Sequence, residues 1–193
     1  MGMGLGVIFL VACGGLVLLA VVLAVWVIGI YNRLAAGRVG VQGAWADIDV
    51  QLKRRHDLIP NLVETVKGYA KHEREALEAV IAARARAVSA GPIDDKIAAE
   101  GGLTQALGRL MAVAEAYPDL KANANFQQLQ GELTSTENII GRARSGYNGA
   151  AGGYNQTLVV FPTNIVAGLF GFKQMPFFEL DSAAERVAPQ VKF

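Results

Sequence analysis

Cysteine is nearly absent: Cys13 stands alone in a chain of 193 residues. A lone thiol excludes an intrachain disulfide framework, so the fold does not depend on oxidation. Histidine is almost as scarce, with only His56 and His72, too far apart in sequence to form a local metal-ligand pair. Neither has a glutamate three residues before it, since those positions are Lys53 and Tyr69, so the Glu-x-x-His pattern of di-iron bundles is missing. Position 76 is alanine, where a zinc-protease helix opening at His72-Glu73 needs its second histidine. Asp47-Ile48-Asp49 lacks the glycine and closing glutamate of a calcium loop, and no glycine-rich loop leads into a Lys-Ser or Lys-Thr pair as in a P-loop. Net charge is +1, too close to neutral for a nucleic-acid-binding surface. These absences leave no catalytic, cofactor-binding or metal-ligating residue to name.

Charge is also missing from one long stretch. From Leu5 to Ile30 there is no Asp, Glu, Lys or Arg. As a helix this run extends about 39 Å, enough to cross a hydrocarbon core of about 30 Å with some tilt. Trp26 and Tyr31 stand at one end, where interfacial aromatics belong. A cleaved signal peptide fits poorly, because the residues before Leu5 carry no positive charge and the apolar run is too long. Leu10-Val11-Ala12-Cys13 resembles a lipoprotein cleavage box, but the run before Cys13 is short and has no basic start. The expectation is an uncleaved single-pass anchor over 1–31. Arg33 and Arg38 follow the run and nothing positive precedes it, which predicts that the rest of the chain lies on the cytoplasmic side of the membrane.

The remainder is patterned for helices. Leu34, Val41, Trp45, Ile48 and Leu52 continue a stripe spaced three and four apart directly from the anchor. The first helix is therefore expected to run to about His56. Asp57 then reads as an N-cap and Pro60 as a first-turn residue of a second helix, ending before Gly91-Pro92. That arrangement pairs Trp45 and Leu52 with Leu62 and Tyr69 across an antiparallel hairpin. Residues 93–102 give a weak pattern broken by Gly101-Gly102. Leu103, Leu107, Leu110 and Ala114 mark a third helix, ending near Tyr117-Pro118. Asn123 is a good N-cap for a fourth. Phe126, Leu129, Leu133, Thr136, Ile140, Arg144, Tyr147, Ala151, Tyr154, Leu158 and Phe161 follow at alternating spacings of three and four. Their average near 3.5 is a coiled-coil signature, with Arg144 placed along the bundle edge. FPTNIVAGLFGF can form a turn or two of helix from Pro162, and the chain beyond it reads as irregular. The fold class is all-α: a transmembrane helix continuing into an antiparallel up-and-down bundle of about four long helices, then an irregular tail. The division is 1–31 anchor, 32–158 bundle and 159–193 tail.

Several blocks resemble one family. AW-x-DIDVQLKRRHDLIPNLVETVKGYAKHE, then EAYPDLKANANFQQLQGELTSTEN, then YN and YNQT, then FPTNIVAGLFGF and a final VKF together resemble the LemA family of membrane-anchored bacterial helical proteins. The likeness covers about Tyr31 to Phe193. It implies an N-terminal anchor and a helical bundle, and it brings no catalytic residues. Some relatives are encoded beside TPM-domain membrane proteins, so the resemblance implies a partner of that type.

Few polar residues invite a chemical reading. Glu64, Glu132, Glu137, Asn61 and Asn138 can face a bundle interior, where paired carboxylates do acid–base work but buried polar groups more often fix helix register. Lys53-Arg54-Arg55 could meet headgroups or nucleic acid, although a solvated helix end is the simpler account. Gly37, Gly40 and Gly43 either present a smooth face for a second backbone or reflect a glycine-rich composition. The tail adds Phe170, Phe172, Phe177, Phe178, Val191 and Phe193, apolar surface beyond what a four-helix core needs. With the three glycines these residues form the expected self-association surface. The function expected is a membrane-anchored structural or interaction protein, a homo-oligomeric scaffold in contact with the lipid bilayer. The competing expectation is an enzyme or metal-binding bundle whose site assembles only in three dimensions.

Overall fold

A computed structural model describes residues 2–178 of the chain, with side chains from residue 9 onward. Val191 and Phe193 of the expected surface lie outside the described residues. The described residues form α1 (Gly2–Tyr69), α2 (Arg74–Ser89), α3 (Ile93–Glu115), α4 (Pro118–Lys121), α5 (Ala124–Val159) and α6 (Thr163–Leu169). The architecture is all-α.

The first correction concerns Pro60. No turn forms at Asp57–Pro60; α1 passes through the proline and ends at Tyr69, so the chain reverses at residues 70–73. Leu52, Leu62 and Tyr69 thus share one helix, and the hairpin pairing expected between them does not exist. The reason lies in one side chain. Proline has no N–H to donate to the carbonyl four residues back, here that of His56. Arg84 on α2 donates its Nε to that same carbonyl oxygen at 2.8 Å. A guanidinium from the neighbouring helix replaces the missing backbone bond.

The other boundaries follow local chemistry. Asn123 caps α5 as expected, its Oδ1 accepting the N–H of Phe126 at 3.0 Å. The weak stretch after Pro92 is fully helical and starts α3 at Ile93, with Asp94 and Asp95 in the first turn, where negative charge favours the helix dipole.

The chain divides into two compact units. One comprises Ala44–Asn148 with Pro176–Phe178. Its core includes Ile59, Leu62, Val66, Val80, Leu103, Leu110, Leu120 and Phe126, drawn from five helices joined by short connections. The other comprises the chain up to Gly43 with Gly149–Met175. Leu34, Val41, Ala151, Tyr154, Leu158, Val166 and Ala167 are buried in it. The α1 stretch around Val11, Leu18 and Val25 is exposed along its length. By length and composition α1 can cross a membrane, and among the described residues it is the one helix that can.

Gly171 is the single described residue that needs glycine's backbone freedom, at φ 69°. There the N–H of Phe172 reaches the Ala167 carbonyl and that of Gly171 the Gly168 carbonyl, the paired bonds of a Schellman cap on α6. Beyond it residues 172–178 form no regular secondary structure, and asparagines of α5 hold them. Asn155 exchanges two hydrogen bonds with the Met175 backbone, and Asn148 does the same with Phe178. Tyr147 adds a bond from its hydroxyl to the Pro176 carbonyl. Tyr147-Asn148 and Asn155 of YNQT thereby gain a structural role in fixing the tail.

Candidate functional site

Five charged or hydrogen-bonding side chains of the Ala44–Asn148 unit gather around Glu100, which is 1% exposed. Arg55, also 1% exposed, enters from α1, with Nη2 paired to the Glu100 carboxylate and Nη1 to Glu137 Oε2 at 2.7 Å. The same Nη1 donates to Thr104 Oγ1 at 3.2 Å. His56, next along α1, places Nε2 2.6 Å from the other Glu100 oxygen. From α5, Arg144 reaches Glu137 at 3.4 Å and lies over the Phe178 ring at 4.4 Å. With Arg84 fixed on the His56 carbonyl, α1, α2, α3 and α5 all contribute.

Burial alone would raise the Glu100 pKa by disfavouring its charged form. The hydrogen bond from His56 and the positive field of Arg55 outweigh burial, and the carboxyl sits below its ordinary 4.5. Glu100 is thus held ionised between two donors. The Glu137 end is different: its side chain is 41% exposed, so water screens those contacts. The tight part of the cluster is Arg55–Glu100–His56. A groove of about 320 Å³ opens over it, lined by Asp49, Lys53, His56, Arg84, Lys96 and Glu100 among others. Two ion pairs rim the groove, Lys53–Asp57 and Lys96–Asp49. Among the described residues no three His, Cys, Asp or Glu side chains converge as a metal site. The chemistry this arrangement supports directly is the locking of helix register, with one histidine face turned to a groove.

Two sequence expectations need correction here. Arg55 is not part of a solvated helix end but, among the described residues, the most deeply buried cation, and Arg144 is buried rather than at the bundle edge. Of the five candidate interior polar residues only Glu137 joins the cluster, while Glu64, Asn61 and Asn138 are exposed. Glu100 went unnoticed because it lies in the stretch with the weakest helical pattern. The signal available was its spacing of three from Leu103 and four from Thr104 on one helical face.

The expected self-association residues fall in different places. A Cβ on Gly37 would stand 3.2 Å from the Tyr154 ring, whereas Gly40 and Gly43 open onto space. Phe170 and Phe172 meet Tyr31 edge-on at 5.0 and 5.5 Å between centroids. Phe178 is buried against Trp45, which also meets Tyr147 edge-on. Phe177 is exposed.

The chain has relatives among characterised proteins. It is 28% identical to the magnetosome protein MamQ 2 of Paramagnetospirillum magneticum, over 83% of this chain and 70% of that one. It is 26% identical to the magnetosome protein MamQ of Magnetospirillum gryphiswaldense, over the same shares. The protein LemA of Metamycoplasma hominis is 27% identical over 83% of this chain and 73% of its own length. None of these names is that of an enzyme. The profile of the LemA family matches residues 44–193, a span that includes the Arg55–Glu100–His56 cluster and the asparagine-pinned tail, and the chain belongs to that family.

Proposed function

We propose that this protein is a membrane-anchored structural scaffold that self-associates at the bacterial cytoplasmic membrane, with its bundle on the cytoplasmic side. The observation that carries the reading is the uncovered apolar length of α1, joined to a helical unit whose buried Arg55, Glu100 and His56 are paired with each other. Arg33 and Arg38 after the apolar run support the side. Relatives named as magnetosome proteins support a role at a cellular structure rather than on a small substrate. Gly40 and Gly43 supply a face where a second backbone can approach, with Phe177 exposed as a further contact. A TPM-domain membrane protein is the heterologous partner that the family resemblance favours.

The test is a Gly40→Leu, Gly43→Leu variant, measured in native membranes by cross-linking and in mild detergent by mass. A Cβ added at either position meets no atom of another part of the chain within 4 Å, so helix content should hold while the assembly shrinks. An assembly of unchanged size, or a wild-type protein that is monomeric in membranes, would sink the proposal. The second reading rests on His56 and Glu100 at the groove floor, where an enzyme or metal site could be completed by a ligand. Stoichiometric zinc or iron in purified protein would favour it.

A further inference from the structure

We propose that the corner between α5 and α6 dips into the membrane interface beside α1, giving the chain a second lipid contact. The corner is apolar and uncovered. Phe161 and Leu169 are each 75% exposed, and Ile165 and Phe170 are also open, while Val166 and Ala167 face inward. No charged residue occurs between Arg144 and Lys173, so no charge in the corner has to leave water. In a water-soluble protein such a patch marks an interface.

Its position identifies the occupant. A cleft of about 490 Å³ is lined by Trp26, Gly29, Ile30 and Arg33 of α1 together with Phe161 and Pro162. Phe161 therefore stands level with the last turns of the uncharged run, where Trp26 and Arg33 mark the passage from hydrocarbon to headgroup. About 20 apolar residues suffice to span a bilayer, and the run from Leu5 to Ile30 exceeds that, so its final turns reach the interface. Trp26 of α1 and Phe161 of the corner line the same cleft, and both are exposed. A short element with apolar residues on one side, lying in the interface plane, is how peripheral helices hold a membrane surface. The inference rests on α1 being membrane-inserted. It changes the anchor from a single pivot to two points of contact, which restrains rotation of the segment next to the membrane.

The test uses full-length protein with Cys13→Ser, reconstituted in phosphatidylcholine–phosphatidylglycerol vesicles. Single cysteines at Phe161→Cys, Leu169→Cys, Leu18→Cys or Glu78→Cys carry an environment-sensitive fluorophore. Labels at 161 and 169 should lose most of their emission to lipids doxyl-labelled near the headgroup and little to aqueous iodide. The label at 18 should respond to deep doxyl lipids and the label at 78 to iodide alone. Quenching at 161 and 169 by iodide but not by lipid would overturn the inference and leave the anchor standing. Protection from both quenchers, with disulfide cross-linking between copies at 161, would overturn it in favour of a second copy. A label at 18 that lipid does not quench would overturn the anchor reading itself, and this inference with it. Unchanged helix content by circular dichroism confirms that each variant is folded.

Discussion

At the residue scale the Arg55–Glu100 pair decides most. Both charges are withdrawn from water, and such pairs are often worth little net, yet removing one partner leaves the other buried and uncompensated. Arg55→Ala should therefore cost about 3 kcal/mol, the low end for a broken buried pair because Glu137 is partly solvated. Urea or thermal melts of the wild type and the variant would show it, and an unchanged midpoint would mean that the pair carries no stability. The same carboxylate sets a pH dependence. Its folded pKa lies below 4.5, so the unfolded chain binds the proton more readily. The stabilisation is complete above the ordinary carboxyl range and is lost as pH falls below 4.5 through the depressed folded value. Acid melts of wild type should steepen in that window, and those of Glu100→Gln should not. Tyr147 behaves in the opposite sense: burial, then Asp94, pushes its hydroxyl above 10. Its ionisation, followed by ultraviolet absorbance, should lag behind that of ordinary tyrosines.

At the scale of elements, α1 carries the question of how a helix survives an interior proline. An uncompensated proline costs about 3 kcal/mol in a helix interior. Arg84 meets part of that cost by bonding the carbonyl Pro60 cannot serve. Arg84→Ala should then destabilise by about 1.5–3 kcal/mol, as for a hydrogen bond to a charged group. In a Pro60→Ala background the restored N–H serves His56, and the same change should cost much less. Equal costs in the two backgrounds, read from a double-mutant cycle, would show that the two residues are not coupled. Leu52 offers a simpler check. It is buried, and Leu52→Ala should cost about 2–5 kcal/mol, although its partners are not those of a hairpin with Leu62.

At the scale of the whole molecule the testable quantity is sidedness. If the positive residues after the apolar run keep the bundle in the cytoplasm, protease added to intact spheroplasts should spare it. Digestion from outside would reverse the orientation.

The sequence by itself determined the helical class, the membrane-length apolar run, the cap at Asn123, the break at Gly91-Pro92 and the family. Each of these is written in periodicity, composition or a local backbone requirement, and needs no distant partner. Only the tertiary structure decided the fate of Pro60, the burial of Arg55 and Arg144, and the importance of Glu100. A proline reads as a helix stop until a guanidinium from another helix takes over its missing bond. Lys53-Arg54-Arg55 reads as a solvated run because three adjacent charges look alike in sequence. On a helix they point about 100° apart, and only the middle of a folded bundle, with a carboxylate waiting there, selects which one goes inside.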